Sequence, residues 1–447
     1  MDLSRRRREF AGLGADAAGV NPPVPPPTPK LLRRRAFLRE LAVIAGSSAV
    51  LTKLPWWSPL RADPVGDAPS DRVRLGVIGT GSRGNRLLRL LLETPGVEIA
   101  ALCDDYELNL NAGLKNARGR PRAFADYRRM LEMPDLDGVV IATPLYLHAP
   151  MCLAALAARK HVFCEKSLAY SFEECAAVSR AARASGLVFQ IGHQRLYSAE
   201  FIRAHVLVDS GAIGPITQIR AYWHRNSSWR RTGFSPEYEH RLNWRLYRAY
   251  SAGLMTELGS HHMHVANWFL GAPPLSCVGY GSINHWKDGR EMDDNVNVIY
   301  RYRDGRHVIF DSMLSNRFYG MEVQILGPHG TIELESGRMY AENPPPAPGI
   351  VQLVNRLEKR LFEVIPVGGP SWVPDLKQDA KGRPLVEEPS SDDGTATQLV
   401  AFANAVRAGR PIPGMIEHAY NSGIAALMGQ FSIEQGREIL WPAQLKP

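Results

Sequence analysis

The sequence predicts an α/β protein in which a doubly wound parallel sheet precedes a second α/β domain built with antiparallel hairpins. Three observations predict it. Short apolar runs alternate with helical segments from Arg72 to Tyr197. A Gly-x-Gly-x-x-Gly stretch, Gly79 to Gly84, falls between the first run and the first helix. Further on, 296–313 and 321–334 alternate polar and apolar residues about glycine turns.

Ahead of that fold, residues 1–70 read as an extension. They hold eleven Lys/Arg against six Asp/Glu, so +5 of the chain's formal +8 lies there. The body is near neutral with both signs interspersed, which excludes the basic stripe that nucleic-acid binding needs. "NPPVPPPTP" (21–29) is a polyproline spacer. Arg34-Arg35, then Phe37-Leu38 and a mildly apolar run from Leu41 to Leu54, have the pattern of a twin-arginine export signal. The expectation is a periplasmic protein, or one anchored by an uncleaved signal. An amphipathic or membrane-anchoring helix is the alternative, although the run is short for a bilayer span and contains Lys53. The five cysteines (103, 152, 164, 175 and 277) are odd in number and form no Cys-x-x-Cys pair, which argues against disulfides and structural zinc.

Val73–Ile78 is a continuous apolar run, as a strand buried on both faces requires. In the loop that follows, the first glycine permits the turn, the second admits a pyrophosphate and the third packs helix on strand. Gly79, Gly81, Ser82, Arg83 and Gly84 are therefore candidate nucleotide contacts, beside the free N–H groups of a helix start. Ile99–Cys103 ends at Asp104, where a carboxylate can accept from ribose hydroxyls. Asp104 favours NAD by repelling a 2′-phosphate, while Arg83 leaves NADP open. "DLDGVVIATP" (135–144) is a strand ending at Thr143-Pro144, "HAPMCLAALAARK" (148–160) a helix starting at His148, and "HVFCEKS" (161–167) a strand delivering Glu165-Lys166. "LVFQIGHQRLY" (187–197) closes the domain and carries Gln194. These strand ends are where a doubly wound sheet binds its ligands. The first domain thus spans 71–193 and the second 194–447; 342–394, rich in Pro, Gly and charge, reads as an insertion, and 396–436 returns to helical spacing.

"GLMTELGSHHMH" (253–264) gathers Glu257, His261, His262 and His264. On a regular helix Glu257, His261 and His264 share one face, while His262 points elsewhere. A zinc site has feasible spacing but lacks a His-Glu-x-x-His pair and an obvious fourth ligand, so no metal is expected. Core histidines are the bland alternative. The stretch 222–250 is rich in aromatic residues and arginine, which suits sugar rings and hydroxyls; Trp244 and Arg245 there, with Arg195 and Tyr197, are candidate substrate contacts. RNA binding shares that composition, but the near-neutral body disfavours it.

From Arg72 to about Pro442 the chain resembles the glucose–fructose oxidoreductase, inositol dehydrogenase and MocA (Gfo/Idh/MocA) family. "GVIGTGSRG", "VVIATPLYLH", "ARKHVFCEKSLA", "GAIGPITQIRAYWHR" and "GLMTELGSHHMHVANWFLG" carry the resemblance, in that order. It implies a Rossmann domain, then an α/β domain with a large, mostly antiparallel open sheet whose face makes oligomer contacts. It also implies a lysine after the fourth Rossmann strand and an Asp-x-x-x-His pair as the catalytic group. Lys166 and His261 match, and Glu257 stands at the aspartate. The expected roles are His261 as base, Lys166 stabilising alkoxide charge and Glu257 orienting the imidazole. Ser167 replaces a usual proline, predicting a looser loop, and His264 replaces a common aspartate, predicting a substrate contact. The implied function is NAD(P)-dependent oxidation of a carbohydrate hydroxyl. Export would leave no free nucleotide pool, so the cofactor is expected to stay bound. That also admits a redox-neutral glycosidase using transient oxidation; a sugar or NAD sensor is the distant alternative.

Overall fold

A computed structural model describes residues 72–117, 120–342 and 382–445. The twin-arginine segment, the polyproline spacer and most of the anticipated insertion lie outside them.

The first sheet holds β1 (Val73–Ile78), β2 (Val97–Cys103), β3 (Arg122–Phe124), β4 (Gly138–Ile141), β5 (His161–Cys164) and β6 (Phe189–Ile191). Their order is β3-β2-β1-β4-β5-β6, with every pairing parallel. The chain builds outward from β1 to one edge, then returns to β4 and builds to the other. That reversal opens a crevice beyond the carboxyl ends of β1 and β4. Val77, Val140, Val162 and Phe163 are fully buried, which is why these strands show no polar alternation. The helices between them are α1 (Ser82–Leu92), α2 (Glu107–Asn116), α3 (Tyr127–Leu131), α4 (His148–Ala157) and α5 (Phe172–Ser185). The three-residue β3 gave no readable apolar run, so Lys166 follows the fifth strand and not the fourth.

Beyond α6 (Ala199–Asp209), the second sheet comprises β7 (Gln218–His224), β8 (Ser276–Ser282), β9 (Asn295–Arg301), β10 (His307–Met313), β11 (Met321–Gly327), β12 (Gly330–Glu333), β13 (Arg338–Ala341), β14 (Arg383–Pro384) and β15 (Ile439–Leu440). Its order is β14-β13-β12-β11-β7-β10-β9-β8-β15, antiparallel except for β7 beside β10. The β9–β10 hairpin turns at Arg303–Gly305, with Asp304 at φ 62°, as its Asp-Gly pair predicts. Val296, Val298, Val308 and Phe310 face inward, against a layer containing α7 (Ser260–Leu270) and the C-terminal helix α9 (Met415–Gln435), while α8 (Thr395–Ala408) packs against the first domain. Tyr300, fully buried, donates from its hydroxyl to the Ala425 carbonyl of α9 at 2.9 Å.

The C-terminal helices also reach the first domain. Phe402 of α8 meets Phe163 of β5 edge-on at 5.7 Å, and Gln190 of β6 donates to the Gln398 carbonyl at 3.0 Å. The first sheet is thus completed by residues more than two hundred positions downstream.

Candidate active site

The glycine loop is built as its spacing predicts. Gly79 has φ +87°, a conformation that a side chain resists, and a Cβ on Gly84 would stand 1.8 Å from the Gly79 carbonyl oxygen. Gly81 is different: a Cβ there would meet nothing closer than Asn109 Nδ2 at 3.7 Å, so the space above the loop is open. No side chain caps the start of α1, which leaves its N–H groups available to a phosphate. Asp104 accepts from Thr80 N (2.7 Å), Thr80 Oγ1 (3.3 Å) and Tyr106 N (2.9 Å). Burial raises its pKa against those bonds. One of its four acceptor positions, on Oδ1, stays open for a ribose hydroxyl. These residues fit a dinucleotide: an open backbone cradle, an unfilled helix start and a buried carboxylate.

A cavity of about 740 Å³ extends from this crevice across to the second sheet. Thr143, His148, Glu165, Lys166, Gln194, Arg195, Trp244, Arg245, Glu257 and His261 all contribute to its wall. The fold therefore brings Lys166 and His261 to the wall of one cavity. Lys166 donates from Nζ to the Glu257 carbonyl at 2.9 Å. Burial lowers its pKa, partly offset by the Glu257 and Glu165 charges. His261 is buried, and burial followed by the Lys166 and Arg195 charges holds its imidazole well below the ordinary range. At neutral pH that imidazole is uncharged and able to accept a proton.

His148 ties the two strand-end loops together. Its Nδ1 lies 2.7 Å from the Ser167 carbonyl and its Nε2 3.0 Å from that of Thr143. Ser167 Oγ donates to the Thr256 carbonyl at 3.1 Å, and the residue is buried. The expected loosening at Ser167 is thus corrected: its hydroxyl supplies a tether across the two domains. Pro144 opens the short turn Leu145–Leu147 and stands outside the cavity lining.

Three further expectations are corrected. Glu257 does not orient His261: its carboxylate accepts from Arg245 Nε at 2.6 Å, and no hydrogen bond joins it to the imidazole. Burial opposes its charge, but Arg245 and Lys166 more than compensate, so its pKa stays low. The reason is local. Met255–Gly259 is a π-helical turn leading into α7, so Glu257, His261 and His264 do not follow one α-helical stripe. His264 is not at the cavity. It stacks on His193 at 4.3 Å with 13° between the rings and lies 5.1 Å from His418, because His193 fills the space between it and His261. Tyr197 is likewise core, 1% exposed. For His262 and His264 the bland reading holds. Among the described residues, no group of three or more His, Cys, Asp or Glu side chains is arranged to hold a metal ion.

Arg83, considered as a partner for a 2′-phosphate, instead pairs with Glu165 at 2.7 Å. Several wall residues escaped the sequence reading. Trp223 lies 5.4 Å from His261 with Arg195 and Arg225 beside its ring, Glu335 pairs with Arg195, and Asp393 pairs with Arg86 at 3.1 Å. Trp223 and Arg225 stood within an aromatic-rich stretch already singled out. The two acids carry no local signal, being far away along the chain.

A doubly wound sheet with an open glycine cradle, joined to a cavity holding a lysine and an uncharged histidine, defines a nucleotide-dependent enzyme. Two family models match the chain: an oxidoreductase family with an NAD-binding Rossmann fold over residues 73–193, and the GFO/IDH/MocA C-terminal domain over 201–333. The chain belongs to the Gfo/Idh/MocA oxidoreductases, and its cofactor is NAD. It is 28% identical over 352 residues to inositol 2-dehydrogenase 3 of Saccharopolyspora erythraea, covering 76% of this chain and 95% of that one. It is 30% identical over 204 residues to a glycosyl hydrolase family 109 protein of Stenotrophomonas maltophilia, spanning 43% of this chain and 42% of the relative. In fold it is similar to scyllo-inositol dehydrogenase from Lactobacillus casei, solved with NAD(H) and scyllo-inositol: TM-score 0.62, 19% identity, 83% of this chain and 99% of that one covered.

Proposed function

We propose that the protein oxidises a hydroxyl group of a carbohydrate. The observation that carries this is the meeting of Lys166 and His261 on the wall of one cavity, beside the glycine cradle. His261, uncharged, takes the hydroxyl proton. Lys166 spends one of its three N–H donors on the Glu257 carbonyl, leaving two for the developing alkoxide. Glu257 and Arg245 fix the floor beneath them. The glycine loop, Asp104 and Thr143 hold the nucleotide, which when bound supplies the hydride acceptor.

The test begins with denaturing the purified protein and identifying the released nucleotide by mass. A screen of sugars against the undenatured protein then follows reduced-nicotinamide absorbance. NAD in the supernatant and absorbance on sugar addition support the reading; no absorbance with any sugar overturns it.

The similarity to a family 109 glycosyl hydrolase favours a second reading, a redox-neutral glycosidase on the same residues. Phenol released from an aryl glycoside with no added NAD and no net absorbance change selects it. Export through Arg34-Arg35 and the run to Leu54 belongs to the same proposal and is tested by fractionating cells and sequencing the mature N-terminus. A homo-oligomer is proposed as well. Its support is the adjacent exposed Val278 and Ile299, with Tyr280, on the outer face of β8 and β9, and light scattering tests it.

A further inference from the structure

Seven basic and six acidic side chains line the cavity. Most of these charges are spoken for within the protein. Arg83 pairs with Glu165, Arg86 with Asp393, Arg195 with Glu335 and Arg245 with Glu257. Arg225 differs: among the described residues no carboxylate pairs with it, and burial alone acts on its charge, lowering its pKa. Its guanidinium carbon lies 5.0 Å from the centre of the Trp223 ring, and that ring lies 5.4 Å from the His261 imidazole. The backbone around it is fixed, Arg225 N donating to the Met313 carbonyl at 2.8 Å and Asn226 bridging to Ser315. Arg195, whose guanidinium carbon lies 5.7 Å from the centre of the same ring, is 6% exposed, and its Nη1 is buried without a partner. One aromatic platform is therefore flanked by two guanidiniums with unused donors, one ring away from the base.

A planar guanidinium without a counter-ion is complementary to an oxyanion, which it grips through paired N–H donors. We infer that Trp223, Arg225 and Arg195 form a subsite for an acidic group on the sugar, so that the substrate is an anionic carbohydrate. This rests on the proposed oxidation of a sugar at His261 and names the substrate class.

Calorimetric titration of the full-length, nucleotide-bound protein tests it with D-glucuronate and D-galacturonate against D-glucose and D-galactose, and with glucose 6-sulfate and 6-phosphate. An acidic sugar is expected to bind about ten- to a hundredfold more tightly than its neutral counterpart. A preference for the uronates identifies a carboxylate, and one for the esters a tetrahedral oxyanion on the same donors. In Arg225→Ala the preference collapses and added guanidinium restores it, while Arg225→Lys keeps part of it. Equal binding of acidic and neutral sugars, or a preference that survives Arg225→Ala, overturns the inference. Acidic sugars that bind through Arg225, yet yield neither reduced-nicotinamide absorbance nor glycoside cleavage, would instead overturn the oxidation reading and leave the subsite standing.

Discussion

Replacing Lys166 with methionine separates catalysis from stability. Methionine approximates the lysine stem but carries neither the charge nor the N–H donors of the ammonium. The ammonium keeps two N–H donors for a substrate oxygen after its 2.9 Å bond to the Glu257 carbonyl. Losing one electrostatic donor that acts mainly in the transition state costs about a hundred- to a thousandfold in rate, or roughly 3–4 kcal/mol. Stability responds otherwise. Burial lowers the lysine's pKa in the folded state, so between that value and the unfolded one only the unfolded chain binds the proton. Folding stability therefore rises with pH through that window, and the charged lysine is a burden below it. Lys166→Met removes the burden but leaves the Glu257 carbonyl without its donor, so Tm should stay within about 3 °C of wild type. The assay is stopped-flow absorbance of the bound nucleotide at saturating sugar, from neutral to alkaline pH. Wild type loses its fast phase below the ordinary lysine range, whereas the variant is slow throughout and has no such limb. A variant within about tenfold of wild type at neutral pH, or one that keeps the alkaline limb, would refute the assignment of Lys166.

His261→Asn should lower kcat by about a hundredfold or more and abolish the acid limb of the kcat/KM profile; in wild type that limb lies below the ordinary histidine range, because activity needs the uncharged imidazole. The glycines should divide by role. Gly84→Ala, whose methyl collides with the Gly79 carbonyl, lowers Tm, whereas Gly81→Ala folds normally but retains less nucleotide on purification, as mass analysis would show. Asp288 takes hydrogen bonds from Arg290 at 2.8 and 2.9 Å and from Arg230 at 3.0 Å, and these hold its pKa well below the usual carboxylate range against burial. Its contribution is complete at neutral pH and lost only as pH falls through that depressed value. Asp288→Asn strands the buried Arg290 and should cost about 3 kcal/mol in chemical denaturation.

The first domain was legible because its signals are local. Apolar runs such as Val73–Ile78 and Val139–Ile141, and the glycine spacing, each lie within one structural unit. Lys166 and His261 were legible through motifs placed at element ends. What escaped was of two kinds. Glu257 faces Arg245 because a π-turn displaces it, and a regular 3.6-residue spacing hides that displacement. The pairings of Arg83 with Glu165 and Arg86 with Asp393 join residues 82 and 307 positions apart, which no periodicity reports. Strand β7 was read as pocket because its Tyr222, Trp223 and His224 are aromatic on both faces and give no alternation. His193 was quoted within a motif, but that it displaces His264 from the cavity is a packing fact.

The course of α8 bears on biosynthesis. This helix seats Phe402 against Phe163 and is held through Gln398 to Gln190, so those two positions stay without their partners until residues 395–408 have left the ribosome. A nascent chain with the glycine loop, Asp104 and Thr143 already translated would still lack these contacts. The first domain is accordingly finished only when the two ends of the described polypeptide have met.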